Sequence, residues 1–266
     1  MNARLSRSHR DGDDDYNQYN HRVNAAAAER LLEINRRFYS ERGGDFSETR
    51  LRIQPGVRRL LQDLRGDETI LDLGCGNGGL ARELSQRRHR GRYVGVDLSI
   101  PLLEHARRGR YDFPVSFIQA DLIRLSDAAY QLPADVAVTG AWSLIAAFAV
   151  LHHIPGTHHR LNLLKWVRGW LGEGGSFLHS HWQFSSSPRM QNRIQPWAEV
   201  DLQIDVDERD FLVDWRRGGR AYRYVHEFTQ AELTQLAADS GFTVSETFRS
   251  DGADGRSGLY QIWRPA

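Results

Sequence analysis

Leu71–Gly79 reads LDLGCGNGG: an apolar run that ends in an acid and a cluster of glycines. Glycine has no Cβ, so such a loop lets a ligand come close to the backbone. The spacing fits two chemistries. Gly74, Gly76 and Gly79 satisfy G-x-G-x-x-G, the dinucleotide pattern, which would seat a pyrophosphate for hydride transfer. Asp72, Gly74, Gly76 and Gly78 satisfy acid-x-G-x-G-x-G, which suits S-adenosylmethionine and methyl transfer. Asp72 separates the two. A pyrophosphate needs amide N–H groups and no negative charge nearby. A carboxylate at the strand end repels it and attracts the ammonium of a methionine moiety.

Two further acids follow the same logic. Asp97 closes the run RYVGVD and can accept from both hydroxyls of a ribose, which either cofactor carries. Asp121, in QADL, can accept from an adenine amine, with Leu122 packing on the ring. Acids at three successive strand ends suit a cationic nucleoside better than a dianionic pyrophosphate. His179 and His181 alternate on a strand, which points both rings to one face as two metal ligands would be. No third ligand is fixed by spacing, so no metal is expected.

These residues need an α/β frame. From Thr69, strand and helix patterns alternate. TILDL, RYVGVDL and VSFIQADL read as strands, and GLARELSQRR and IPLLEHARRG as helices. A fourth strand lies within WSLIAAFAVLHH, although DVAVTGA before it is also strand-like. HRLNLLKWVRGWL is an amphipathic helix and EGGSFLHSHWQF a glycine-initiated fifth strand. The alternation predicts a doubly wound sheet. FTVSETF and GLYQIWR are joined by too short a link for a crossover, so they are antiparallel neighbours. Upstream, residues 1–27 read as a weakly ordered tail and 28–266 as one domain, with N-terminal helices from the Ala25–Ala28 run and over Ile53–Leu64. Leu31, Leu32, Ile34, Phe38 and Tyr39 form an apolar stripe on the first. Residues 184–228 interrupt the rhythm as a substrate-side insertion.

Composition narrows the class. The chain has 266 residues, 40% hydrophobic and 26% charged, enough to bury a core. Net charge is +1, so no global field draws it to nucleic acid, and no DNA partner is expected. Lys165 is the only lysine, and Cys75 the only cysteine, which excludes an internal disulfide and a cysteine-based zinc site. No apolar run has transmembrane length. A cytoplasmic protein without membrane contact is the expectation.

ILDLGCGNGGL, YVGVDLS, FIQADL, AFAVLHHIP and LGEGGSFLHSHW resemble, in order, the motifs of class I S-adenosylmethionine-dependent methyltransferases. The resemblance implies a Rossmann-like α/β fold with a seven-stranded sheet and the last strand antiparallel. It implies that Asp72, Gly74, Cys75, Gly76, Asn77 and Gly78 face the methionine end. Asp97 would hold the ribose, Asp121 and Leu122 would frame the adenine, and Leu98, Ser99, Ala149 and Leu151 would complete the cofactor-binding set. His152 would face the cofactor through its backbone.

A narrower resemblance lies outside these motifs. FSETR (46–50), LHHI (151–154), HSHWQF (179–184), RDFLVDW (209–215) and RYVHEF (223–228) are similar to wobble-uridine tRNA methyltransferases that esterify a carboxymethyl group. It implies an acceptor side built from Arg50, His153, Trp182, Asp210, Trp215, Arg223 and His226, and a small zinc-binding activator as partner. A carboxylate acceptor is already ionised near neutral pH and needs orientation rather than a base. Arginines can grip it, and tryptophans can stack a base. The alternatives are a small-molecule acceptor under a lid formed by 184–228, a non-catalytic scaffold, and an NAD-dependent oxidoreductase. Arginine-dense segments at Arg36–Arg37, Arg87–Arg92, Arg107–Arg110 and Arg216–Arg223 would converge on the site mouth if the acceptor were RNA.

Overall fold

The computed structural model describes residues 23–48, 52–124, 130, 132–133, 136, 138–185, 187–202 and 206–266. Arg50 lies outside the described residues, as does the tail up to residue 22. Helix α1 (Ala25–Glu48) starts inside the span expected as tail. Asn24 supplies the reason, because its Oδ1 accepts from Ala27 N at 2.9 Å and caps the first turn. Helix α2 (Pro55–Leu60) is shorter than the Ile53–Leu64 expected.

The α/β alternation follows as read: β1 (Ile70–Leu73), α3 (Gly79–Gln86), β2 (Tyr93–Asp97), α4 (Ile100–Arg107), β3 (Val115–Gln119), β4 (Trp142–Phe148), α5 (Thr157–Trp170) and β5 (Leu171–Trp182). The fourth strand is Trp142–Phe148; positions 135 and 137 of the strand-like DVAVTGA lie outside the described residues. Strand β5 begins before its glycines, because Leu171 already pairs with Trp142. Next come α6 (Pro188–Gln191) and the strands β6 (Ile194–Gln195), β7 (Asp210–Trp215) and β8 (Ala221–His226). The chain closes with α7 (Gln230–Asp239), β9 (Phe242–Ser250) and β10 (Gly258–Pro265).

The main sheet has seven strands in the order β3-β2-β1-β4-β5-β10-β9. Strand β10 runs antiparallel to both β5 and β9, as the short link between the last two strands requires. The order reverses between β1 and β4, so a crevice opens at their carboxyl ends. Side chains alternate across the sheet. Leu71, Val94 and Ile145 enter one apolar layer with Trp170 and Trp263. Ile70, Tyr93 and Leu144 enter the opposite layer with Val57 and Leu80. Among the described residues no helix is long and apolar enough to cross a membrane.

The insertion forms a separate antiparallel sheet, β6-β7-β8. It meets α1, where Asn35 Oδ1 accepts from Tyr224 N and Asn35 Nδ2 donates to Tyr224 O. Asp210 and His226 lie inside this junction. Asp210 Oδ1 accepts from Tyr224 Oη at 2.8 Å and lies 2.6 Å from His226 Nδ1. Buried Arg160 donates to Tyr224 Oη and to Glu232, and stands 3.9 Å from Asp210. Asp207, Asp210 and His226 approach one another closely, but the guanidinium and the two ring partners already answer their charge. Removing one member of such a buried set costs about 3–5 kcal/mol, because the others keep their desolvation penalty. Asp210→Ala is therefore expected to lower unfolding free energy by that order in urea titrations, while S-adenosylhomocysteine affinity of the folded protein stays unchanged.

Candidate active site

The glycine loop leaves β1 and turns into α3, and its glycines divide the work. Gly74 has φ +67°, and a Cβ there would stand 2.5 Å from a Val150 methyl, so only glycine fits. Gly76 has φ +54°, and a Cβ would meet nothing within 4 Å, because that side opens on the cavity. Gly78 faces the other way. Its Cβ would meet Ala106 at 3.0 Å and Tyr111 Oη at 2.9 Å, so it sets the packing of α3 on α4. This corrects the expectation that Gly78 lines the ligand; Gly79 does so instead.

Asp72, the penultimate residue of β1, is nearly fully buried, at 3% exposure. Its Oδ2 accepts from Tyr93 Oη at 2.6 Å. Burial pushes its pKa up to about 7; the Tyr93 hydrogen bond opposes the shift and the nearby Asp97 charge adds to it. Asp97 is anchored by two backbone donors, Gly76 N to Oδ2 and Ser99 N to Oδ1, each at 2.8 Å. Burial raises its pKa also, against those two bonds. Each oxygen of Asp97 keeps acceptor capacity for one ribose hydroxyl. Asp121 accepts from Ile123 N at 3.0 Å and from Arg36 Nη2 at 3.1 Å.

These groups share one cavity of about 520 Å³ at the carboxyl ends of the strands. That volume suits a nucleoside-sized ligand. Asp72, Gly74, Cys75, Gly76 and Asn77 line it from β1. Asp97 and Leu98 line it from β2, and Asp121 and Leu122 from β3. Ala149, held at φ +59° after β4, also reaches it. Ser99 does not. Its N–H serves Asp97, and its Oγ donates to the Tyr39 carbonyl of α1. Leu151 is fully buried in the apolar layer behind the site. His152 is buried behind Trp182, whose N–H donates to its Nδ1. None of these three is among the lining residues.

Residues 46–247 match the methyltransferase domain family. The chain belongs to that family. A protein of Encephalitozoon cuniculi named as a methyltransferase is 29% identical over 209 residues, covering 78% of this chain and 86% of that protein. The tRNA (carboxymethyluridine(34)-5-O)-methyltransferase of Mus musculus is 24% identical over 186 residues, which is 66% of this chain but 25% of the mouse protein. The solved 1,6-didemethyltoxoflavin-N1-methyltransferase of Burkholderia thailandensis, with S-adenosylhomocysteine bound, superposes with a TM-score of 0.61 at 18% identity. That match covers 92% of each chain. The chain uses S-adenosylmethionine as methyl donor, and the residues that line this cavity are the ones that would hold it. Bound there, the cofactor supplies an electrophilic methyl on a sulfonium. The protein's part is to position it in line with the acceptor.

A second wall of the cavity rises beyond β4 and β5. His153 and Trp182 both line the cavity, with ring centroids 6.0 Å apart. Arg223 is buried directly behind Trp182, its guanidinium carbon 4.8 Å from the Trp182 centroid and 4.8 Å from that of Phe38. Trp215 completes the same stack at 5.7 Å. Arg223 and Trp215 therefore support the wall from behind. Asp210 and His226 belong to the buried junction under the insertion and are not brought to the cavity. Nor do residues 184–228 cover it among the described residues; they hold α1, which does. His179 and His181 do not converge as ligands: His179 Nδ1 lies 2.7 Å from His181 Nε2, and burial holds both rings neutral.

Sequence reasoning missed Tyr39, Arg36, Arg52 and Tyr260 as lining residues. The aromatic stripe of α1 carried the signal for Tyr39. It is an amphipathic face that points partly into the cavity.

Two outcomes are expected. Asp97→Ala weakens S-adenosylmethionine binding at least tenfold in calorimetry, about the loss of one or two charge-assisted hydrogen bonds. A cationic ligand binds the ionised form of Asp72, so below its raised pKa binding must expel a proton. Affinity for S-adenosylhomocysteine therefore rises with pH between about 5.5 and 7, and Asp72→Asn flattens that slope.

Proposed function

We propose that this methyltransferase esterifies a carboxylate carried on a planar ring, the carboxymethyl group of a tRNA wobble uridine. The observation that carries this reading is the buried guanidinium of Arg223 behind Trp182. It puts a permanent positive charge behind an aromatic wall at the methyl end. The wall offers a stacking surface, and the charge favours an anionic acceptor.

Two polar groups that line the cavity are already committed to protein partners. Asp251 accepts from Gly56 N and from Tyr260 Oη. His153 has Tyr224 O beside Nδ1 and Tyr39 Oη beside Nε2. Groups so committed orient a substrate better than they remove a proton from it. An acceptor that arrives ionised needs no base. The similarity to the mouse carboxymethyluridine enzyme and the order of the acceptor-side motifs point to the same substrate.

One observation favours a second reading, an anionic small molecule. Two of the four arginine-dense segments sit at the far end of the sheet. Arg90 N donates to Gly66 O before β1, and Arg107–Arg110 lead into the start of β3. Among the described residues, RNA would then rest on Arg36, Arg37, Arg52 and the β7–β8 turn.

The product distinguishes ester from other methyl chemistry. Total tRNA from cells lacking the gene, incubated with the protein and radiolabelled S-adenosylmethionine, is expected to gain label that mild alkali releases as volatile methanol. Alkali-stable label in the RNA would refute esterification. Unlabelled RNA, with label entering a small-molecule extract, would support the second reading.

A further inference from the structure

Among the described residues, four acids and two arginines line the cavity. Each acid has a partner of its own. Asp72 accepts from Tyr93, Asp97 from two backbone amides, Asp121 from Arg36, and Asp251 from Gly56 N and Tyr260 Oη. Arg36 is spent as well, because its Nη1 lies 2.6 Å from Glu29 Oε1. Arg52 differs from all of these. It lines the same cavity but is exposed, so it stands at the mouth. Among the described residues, no carboxylate pairs with its guanidinium, and no hydrogen bond or ring contact engages it. A guanidinium is always charged, and its parallel N–H groups match the two oxygens of a carboxylate.

The backbone around Arg52 is firmly placed. Pro55 opens α2, and Gly56 N donates to Asp251 Oδ1 at 3.0 Å. A Cβ on Gly56 would stand 2.3 Å from the Tyr260 ring, so the start of α2 lies directly on β10. Two residues before Tyr260, Gly258 pairs with Trp182. The segment that carries Arg52 is thus fastened to the strand beside the aromatic wall. Arg223 is buried behind Trp182 and does not line the cavity, so it reaches an acceptor through its field alone.

We propose that Arg52 is the specificity-determining residue that grips the carboxylate of the acceptor at the cavity mouth. The inference rests on the carboxylate reading above and deepens it. The field of Arg223 favours any anion, whereas the fork of Arg52 selects a planar pair of oxygens. A carboxamide of the same shape carries no charge and sets N–H against N–H at one of the two positions. Sites that hydrogen-bond a substrate group discriminate strongly against analogues that lack it.

The test uses the intact protein loaded with S-adenosylhomocysteine and two anticodon stem–loop RNAs. One carries 5-carboxymethyluridine at the wobble position, and the other 5-carbamoylmethyluridine, its neutral isostere. The wild-type protein is expected to bind the carboxylate RNA at least about tenfold more tightly, the worth of a charge-assisted hydrogen bond. Arg52→Gln is expected to shrink that ratio at least about fivefold, with S-adenosylhomocysteine affinity unchanged, which also reports that the variant is folded. A ratio that survives Arg52→Gln would overturn the inference. So would equal weakening of both RNAs, the mark of a phosphate contact. Loss of S-adenosylhomocysteine affinity would overturn it too, because Arg52 would then serve the cofactor's own carboxylate. Methyl transfer from radiolabelled S-adenosylmethionine to the carboxylate RNA separates the two levels. Transfer by the wild type alongside any of those three results would leave the carboxylate reading standing. No transfer would overturn the uridine reading and the inference with it.

Discussion

Asp72 is a carboxylate buried at the end of a parallel strand, and the protein alone compensates it poorly. One tyrosine hydroxyl donates to it, and another acid stands nearby. Burying an ionised group without a partner is costly, so the group tends toward neutrality. A cation delivered to the cavity removes that penalty. A ligand's ammonium would be the structural complement of this strand end. Asp97 works by different means. It is already held by two backbone donors and stays oriented for a diol whether or not a ligand is present. The same crevice therefore contains one acid waiting for charge and one acid preset for hydrogen bonding.

The second constraint is how α1 is held over this crevice. Arg36 reaches Asp121, the Tyr39 carbonyl takes Ser99 Oγ, and the Ser47 carbonyl takes Asn77 Nδ2. Each bond ties the helix to a loop that also lines the cofactor cavity. Asn35 also fixes α1 to β8. The insertion thus acts at a distance. Its Asp210 and His226 form a buried set with Arg160 of α5 that stabilises the junction, and its Arg223 braces Trp182. Residues that resemble acceptor-side motifs in sequence turn out to include both the wall and its buttress.

Much of the cofactor site was legible in the sequence because it depends on local spacing. A strand ending in an acid and glycines at alternate positions place ligand groups without help from the rest of the chain. The antiparallel closing pair was legible from loop length alone. What failed depended on burial and on faces set by tertiary packing. Gly78 and Gly79 are adjacent, and only the approach of α4 decides which one opens on the cavity. Leu151 and Ser99 follow lining residues but turn inward. Asp210 and His226 have the residue types of catalysis, yet Arg160, distant in sequence, and Tyr224 of the same small sheet absorb them into the core. Tyr39 read as part of an apolar stripe because a helical period marks a buried face without saying what it faces.

The central claim is that the strand-end acids select a cationic nucleoside over a pyrophosphate-bearing one. Parallel calorimetric titrations of the protein with S-adenosylhomocysteine and with NAD at pH 7.5 test it most directly. The account predicts one saturable site for S-adenosylhomocysteine and no saturable heat for NAD. Saturable NAD binding that S-adenosylhomocysteine displaces, at equal or higher affinity, would contradict it.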